Sequence, residues 1–246
     1  MHKSLFHAFL TVVCLCVPVG TTGAQSIEEA RTAFAEGRFT EAADLARVLD
    51  TSEGYALTAD SLAIYGYYLA PDSEKAGLFE RAVAFAWKAV RLDPANPQAH
   101  LQLAHALGRY AQVIGLLTAL KEGYAGQIRD AAQEALRLAP DMAAAHLSCA
   151  AWHAGAVSGG GFIAGLLYGA NEEDALAHFE RALELAPKEK IVLLEYALGL
   201  LSLDAIGNRE QARDLLDRAI RLPQKDAHDR IVHQKAVERL AALGGG

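Results

Sequence analysis

Cysteine is scarce, with three residues in 246. Two of them, Cys14 and Cys16, lie in the first apolar run, so Cys149 stands alone in the rest of the chain. No intrachain disulfide can form there, and the fold must hold by packing. Excess basic charge is missing too. The formal net charge is −7, which disfavours nucleic acid or an anionic lipid surface as the main partner, since both select basic patches. After the N-terminal segment no stretch has the roughly 20 apolar residues that span a bilayer. No strand-like alternation of useful length occurs. The sequence also has no HExxH, paired CxxC, GxSxG or GxxxxGK[ST] signature, and so gives no reason to expect an enzyme, a metal or a cofactor.

What is present begins with a leader. Met1, His2 and Lys3 make a short basic start, an apolar run follows from Leu5 to Val17, and Thr22, Gly23 and Ala24 form a small-residue end. This is the layout of a secretory signal peptide over residues 1–24, cleaved after Ala24. A retained membrane anchor is the competing reading, but Pro18 and Gly20 interrupt its apolar core. Cys14 and Cys16 lack the Leu-small-small approach of a bacterial lipidation signal. The expected mature chain is therefore a single domain over residues 25–246, periplasmic or secreted. It carries 30 acidic side chains against 22 basic ones once Lys3 is gone.

The mature chain repeats itself. KAVRLDP ends at Pro94, EALRLAP at Pro140, RALELAP at Pro187 and RAIRLP at Pro223. Each reads as a helix end enforced by proline, which lacks an N–H and disfavours helix in the residue before it. The prolines are 46, 47 and 36 residues apart. Upstream of each lie small or apolar residues at matched positions. They are Ala82, Ala86 and Ala89, then Ile128, Ala132 and Ala135, then Ala175, Phe179 and Ala182, and finally Ala212, Leu216 and Ala219. Small residues at that spacing let two helices approach closely. Residues 36–46, EGRFTEAADLA, carry a glycine turn, an aromatic and a Glu-Ala pair of the kind that links two helices.

These features resemble the tetratricopeptide (TPR) repeat, whose period is close to the last proline interval. The resemblance implies an all-α, right-handed TPR-like α-solenoid of about five helix pairs plus a C-terminal capping helix. The expected pairs are 27–36 with 40–50, 54–69 with 74–92, 97–114 with 126–138, 143–154 with 172–185, and 190–204 with 209–221. The cap runs from 226 to 243. Two units are too long for a standard repeat. Their surplus lies at residues 113–124 and at the uncharged, glycine-rich residues 155–170. Two expanded repeats in succession, Trp152, the run Leu166-Leu167-Tyr168-Gly169 and a closing proline then helix look like the regulator of microtubule dynamics family, over about residues 80–243. That looser resemblance implies a helical repeat domain with an adaptor-type role. An exported acidic chain does not obviously meet tubulin, so the microtubule activity is not carried over.

Few residues invite chemistry. His146 and His153 share a helix face, with His178 on a facing helix, but a metal would need three or four converging ligands. Their positions are ones that usually face neighbouring helices. His100 and His105, five residues apart, do not share a face. Cys149 has no adjacent cation and sits where side chains are usually buried, so an inert thiol is expected. Residues 159–164, GGGFIA, imitate a dinucleotide fingerprint, but no strand precedes them. The three glycines are expected instead to end a helix and let the insert turn. The remaining functional surface is the concave groove, lined by the first helix of each pair. Helical projection places Gln98, Leu101, His105, Arg109, Leu147, Ala151, Ala154, Leu194, Leu198 and Leu201 there, giving a polar end and an apolar end suited to a protein or peptide segment. Phe162, Ile163, Leu166, Leu167 and Tyr168 of the insert must also bury somewhere. They either fill the groove or enclose a small apolar ligand or lipid, the alternative to a protein-binding adaptor.

Overall fold

The proline stops work as the sequence predicts. In the computed structural model, which describes residues 22–244 with the side chains of 22–26, 116 and 160–167 left aside, twelve helices follow one another without a strand among the described residues. The pairs are α1 (Thr22–Glu36) with α2 (Phe39–Arg47), α3 (Ser52–Tyr68) with α4 (Asp72–Leu92), and α5 (Pro97–Ile114) with α7 (Tyr124–Leu138). They continue with α8 (Ala143–Tyr168) and α9 (Glu172–Leu185), then α10 (Lys190–Leu203) and α11 (Arg209–Arg221). A short α6 (Leu116–Lys121) is spliced into the third pair, and α12 (Ala227–Gly244) closes the chain. The helices α4, α7, α9 and α11 each stop two residues before their proline, and every intervening residue leaves the helical region: Asp93 at φ −145°, Ala139 and Ala186 at −138°, and Leu222 at ψ 150°. The expected leader lies outside the described residues, apart from its last three.

Burial follows the repeat positions. Ala82, Ala86, Ala89, Ala135, Ala175, Ala182, Ala212, Leu216 and Ala219 have no exposed surface, and Ala132 and Phe179 have almost none. The two main apolar clusters divide the array. One is built on α3, α4, α5 and α7, the other on α8 to α12. A charge lies inside the second. Lys190 is buried, and its ammonium donates to the carbonyls of Ala219 (2.7 Å) and Leu222 (2.5 Å). It thereby satisfies carbonyls that the end of α11 would leave open.

The two surpluses have different fates. Residues 113–124 fold into α6, set between Gly115 and Gly123, both at positive φ. Its Leu117 is 83% exposed. Residues 155–170 do not make a turn, as the three glycines had suggested. They continue α8, which runs through Gly159, Gly160 and Gly161 to Tyr168, 26 residues or about 39 Å. Each glycine costs about 1 kcal/mol against alanine, but a helix already nucleated gains a hydrogen bond with every residue added. The stop comes later, at Gly169 with φ +73°. Asn171 then caps α9 by accepting from the Asp174 N–H at 2.7 Å. The insert is a helix extension.

Candidate functional site

The first helices of the pairs stack side by side and carry a set of polar groups. Arg109 of α5 lies over the ring of Tyr67 of α3, 3.6 Å from its centroid, a cation–π contact. One turn earlier on α5 sits His105, whose pKa is pushed down to about 4 by burial and by the charge of Arg109 and His228. Burial raises the carboxyl of Glu195 on α10, against the partial opposition of Arg109. Asp60 on α3 is raised to about 7 by burial, held back by a hydrogen bond from Gln102. Gln102 is itself buried, and its Oε1 has no partner among the described residues. None of Asp60, Arg109 and Glu195 makes an ion pair among the described residues.

The C-terminal helix does more than cap. At one end α12 joins the core of α10 and α11 through Val232 and Ala236, with Leu240 and Leu243 beside them. At the other, Ala227 is buried with Phe39 and Ile64, and Ile231 packs there beside Phe34 and Tyr68. It therefore joins the last pair to the first. The His228 ring lies 6.1 Å from that of Tyr68, among the same polar groups.

Of the residues projected onto a groove, His105 and Arg109 lie among these polar groups, and Gln98 and Ala151 are exposed. Leu101, Leu147 and Leu194 are instead core residues, 2%, 8% and 1% exposed. Leu101 packs with Ala135 and Ala145, and the other two belong to the cluster of α8 to α12. Ala154 is also buried, while Leu198 and Leu201 pack at the margin of that cluster. The reason is geometric. A first helix touches its own partner and the pairs on both sides, so its apolar stripe is wider than a single-neighbour projection allows. The insert side chains Phe162, Ile163, Leu166 and Leu167 lie outside the described residues. Tyr168 is partly buried against the cluster of Trp152 and Ala170.

Asp60 gives a testable pH dependence. Its folded pKa is near 7 and its ordinary value 3.8. The stability tied to its protonated form is complete below the ordinary value and is lost as pH rises through 7. Asp60→Asn keeps the shape and offers a donor beside Gln102. The variant is expected to gain about 2 kcal/mol over the parent between pH 4 and 7, roughly half the full linkage value because Asp60 is only partly buried. Urea midpoints read this directly. His105 acts in the opposite sense but is common to both proteins.

The histidines converge as the sequence suggested. His146 and His178 face each other through their Nδ1 atoms at 2.9 Å, and the rings of His153 and His178 are 6.1 Å apart. Among the described residues no group of three or more His, Cys, Asp or Glu side chains is arranged to hold a metal. Burial pushes the Cys149 thiol up to about 11, far from a reactive thiolate. Among the described residues no helix is long and apolar enough to cross a membrane.

Comparison with known proteins adds the lineage. A family model described as regulator of microtubule dynamics protein 1-3 matches residues 26–244. No curated protein matches the chain. Among solved structures, a thermophilic TPR protein from Thermus thermophilus superposes with a TM-score of 0.61 at 19% identity, over 88% of this chain and 99% of the other. YrrB, a TPR protein with an unusual peptide-binding site, gives 0.41 at 15% identity, over 88% and 92%. The human IFIT1 dimer with PPP-AAAA gives 0.46 at 18% identity, over 87% and 52%. The first of these establishes a TPR-type α-solenoid.

Proposed function

The chain belongs to the regulator of microtubule dynamics protein 1-3 family, and we propose that it is a non-catalytic helical-repeat scaffold binding a segment of another protein along its concave face. One observation carries this reading. The helix α12 packs on Phe39 and Ile64 at one end and on the cluster of α10 and α11 at the other, and Arg109, Glu195 and Asp60 have no ion-pair partners among the described residues. Burial raises both carboxyls toward the neutral form because little in the fold compensates their charge, while the Arg109 guanidinium stays charged. A peptide or helix bearing both signs would supply the missing partners. A buried thiol and a His146–His178 pair tied to each other and to the Pro140 carbonyl favour a binding role over a catalytic one.

Export to a periplasm or the exterior is part of the proposal, on the strength of the basic, apolar and small-residue order of residues 1–24. An acidic chain in that setting has a partner other than tubulin. The test is site-specific photocrosslinking in the native cell, with the reactive group at Gln98 or Ala151, both exposed on first helices. The expected result is one adduct at these positions, reduced about tenfold by Arg109→Glu, a loss of about 1.4 kcal/mol. An adduct that ignores Arg109→Glu, or that forms only from outer positions such as Gln133, overturns the reading. N-terminal sequencing of the recovered protein checks export, with Gln25 expected first.

A further inference from the structure

Away from the concave face, a half-open cavity of about 320 Å³ lies over α8, between the outer helices α7 and α9. Its walls are apolar where Ala132, Leu136, Cys149 and Trp152 line it, and polar where His153 and His178 do. The indole N–H of Trp152 is spent on the carbonyl of Ala125 at 2.8 Å, so Trp152 offers only its apolar surface. Two guanidinium groups also reach the cavity, those of Arg129 and Arg137. Neither is a free cation. Arg129 bonds Asp130 at 2.8 and 2.9 Å, and Arg137 bonds Glu134 at 2.6 and 2.7 Å. The charge at the rim is balanced, so the cavity has no evident demand for an anion.

The hydrogen bonds fix what the two histidines present. His146 Nε2 lies 3.0 Å from the carbonyl of Pro140, and a carbonyl only accepts, so the proton of uncharged His146 is on Nε2. Its bare Nδ1 must then accept from His178 Nδ1–H, at 2.9 Å. That leaves His178 with a bare Nε2, an acceptor. His153 Nδ1 accepts the backbone N–H of Asn171 at 3.2 Å, so its proton is on Nε2, a donor. Burial lowers the pKa of His153 and His178, and the neighbouring rings lower that of His178 further, so both are neutral near pH 7. The relay from the Pro140 carbonyl sets an acceptor on His178, and the Asn171 N–H sets a donor on His153, on rings 6.1 Å apart.

We propose that this cavity is a binding site for an uncharged, flat, mainly apolar molecule carrying an adjacent N–H and C=O, as in a lactam or an aromatic amide. The ligand carbonyl accepts from His153 Nε2–H, and its N–H donates to His178 Nε2. The size agrees. A dry cavity of about 150 Å³ takes a benzene ring, and this one is about twice that, room for two fused rings. The rigid tautomers give the site its direction, because a ligand lacking either group leaves one nitrogen unpaired.

The probes are 2-quinolone, its N-methyl derivative, which has lost the donor, and 2-naphthoate, an anion of similar size. Binding to the full mature protein is followed by NMR at the Trp152 indole N–H and the nitrogens of His153 and His178. 2-Quinolone is expected to shift all three sites, N-methylation to weaken it at least tenfold, and 2-naphthoate to bind no better than the methylated probe. His178→Phe should erase the difference between quinolone and methylquinolone. Arg109→Glu, on the concave face, should change nothing here, which separates this site from the protein-binding surface. No shift with any probe at millimolar concentration overturns the proposal. So does equal binding of the methylated probe, or tightest binding of the naphthoate. The two quinolones make the comparison without any substitution, so a misfolded variant cannot hide the answer.

Discussion

Gly199→Ala is expected to destabilise the protein by about 2 kcal/mol, although alanine is the better helix former by about 1 kcal/mol. The sign is reversed by Phe179. That ring is 1% exposed and stacks on Tyr196 with centroids 5.0 Å apart and planes within 7°. A Cβ at position 199 would lie 2.3 Å from its Cε2 and Cζ. The ring cannot withdraw, because Tyr196 covers one side and the small residues of α9 pack beside it. Overpacking of a fixed core costs about 1–3 kcal/mol and sometimes more, and a clash this deep belongs at the upper end, which leaves about 2 after the propensity gain. The double variant Gly199→Ala with Phe179→Leu separates clash from simple loss of packing. Phe179→Leu alone removes ring contacts and should destabilise. Combined with Gly199→Ala it should cost less than the two separate losses added together, as read by a double-mutant cycle on chemical denaturation. Additive losses would mean that ring and glycine do not compete for the same space.

The helix boundaries set by local chemistry were readable in advance. Proline disfavours helix in the residue before it through purely local sterics, so Pro94, Pro140, Pro187 and Pro223 placed four helix ends without knowledge of the packing. The alanines upstream were equally legible, since only close helix contact makes a small residue valuable at regular spacing. The triple glycine misled because propensity is a weak prior. Continuing a helix through Gly159, Gly160 and Gly161 costs a few kcal/mol in all, a sum that length and packing can supply, whereas Gly169 at φ +73° cannot be helical.

The polar groups around Arg109 left a fainter trace. Glu195 is the one acid in α10, and Asp60 is the one charge after the first turn of α3. A single charge within an apolar helix marks a side chain with a particular neighbour. His105 and Arg109 were named by projection onto one face of α5. Glu195 and His228 were not, because projection treats one helix at a time and these groups meet only when the array curves. The same limit explains Leu101, Leu147 and Leu194. Which apolar residues face a groove and which face a neighbouring pair depends on how far each helix is enclosed, and that is a property of the assembled stack.

Curvature also decides the second large effect, at Gly37. Gly37→Val is expected to detach α12 from the first pair and to lower stability by about 3 kcal/mol. Gly37 ends α1 at φ +90°, with its N–H bonded to Phe34 and the next N–H, of Arg38, bonded to Ala33, both at 2.9 Å. This is the Schellman arrangement, in which a left-handed residue closes the helix. A β-branched residue there carries about 1–3 kcal/mol of backbone strain. A second penalty comes from across the array, because any Cβ at 37 would lie 2.8 Å from the Cβ of Ala227 on α12. The two causes separate by experiment. Gly37→Asn tolerates the left-handed backbone better but keeps the collision, and adding Ala227→Gly removes the collision but not the strain. If contact with α12 matters, Ala227→Gly should restore part of the stability of Gly37→Asn. Amide exchange over residues 227–236 should speed up in Gly37→Asn and slow again in the pair. The released helix would uncover Tyr68, His105 and Arg109, so Gly37→Asn should also strengthen crosslinking from Gln98 to the protein partner. Unchanged exchange across α12 in both glycine variants would mean that the C-terminal helix holds to the last pair alone and that the concave face is open without it.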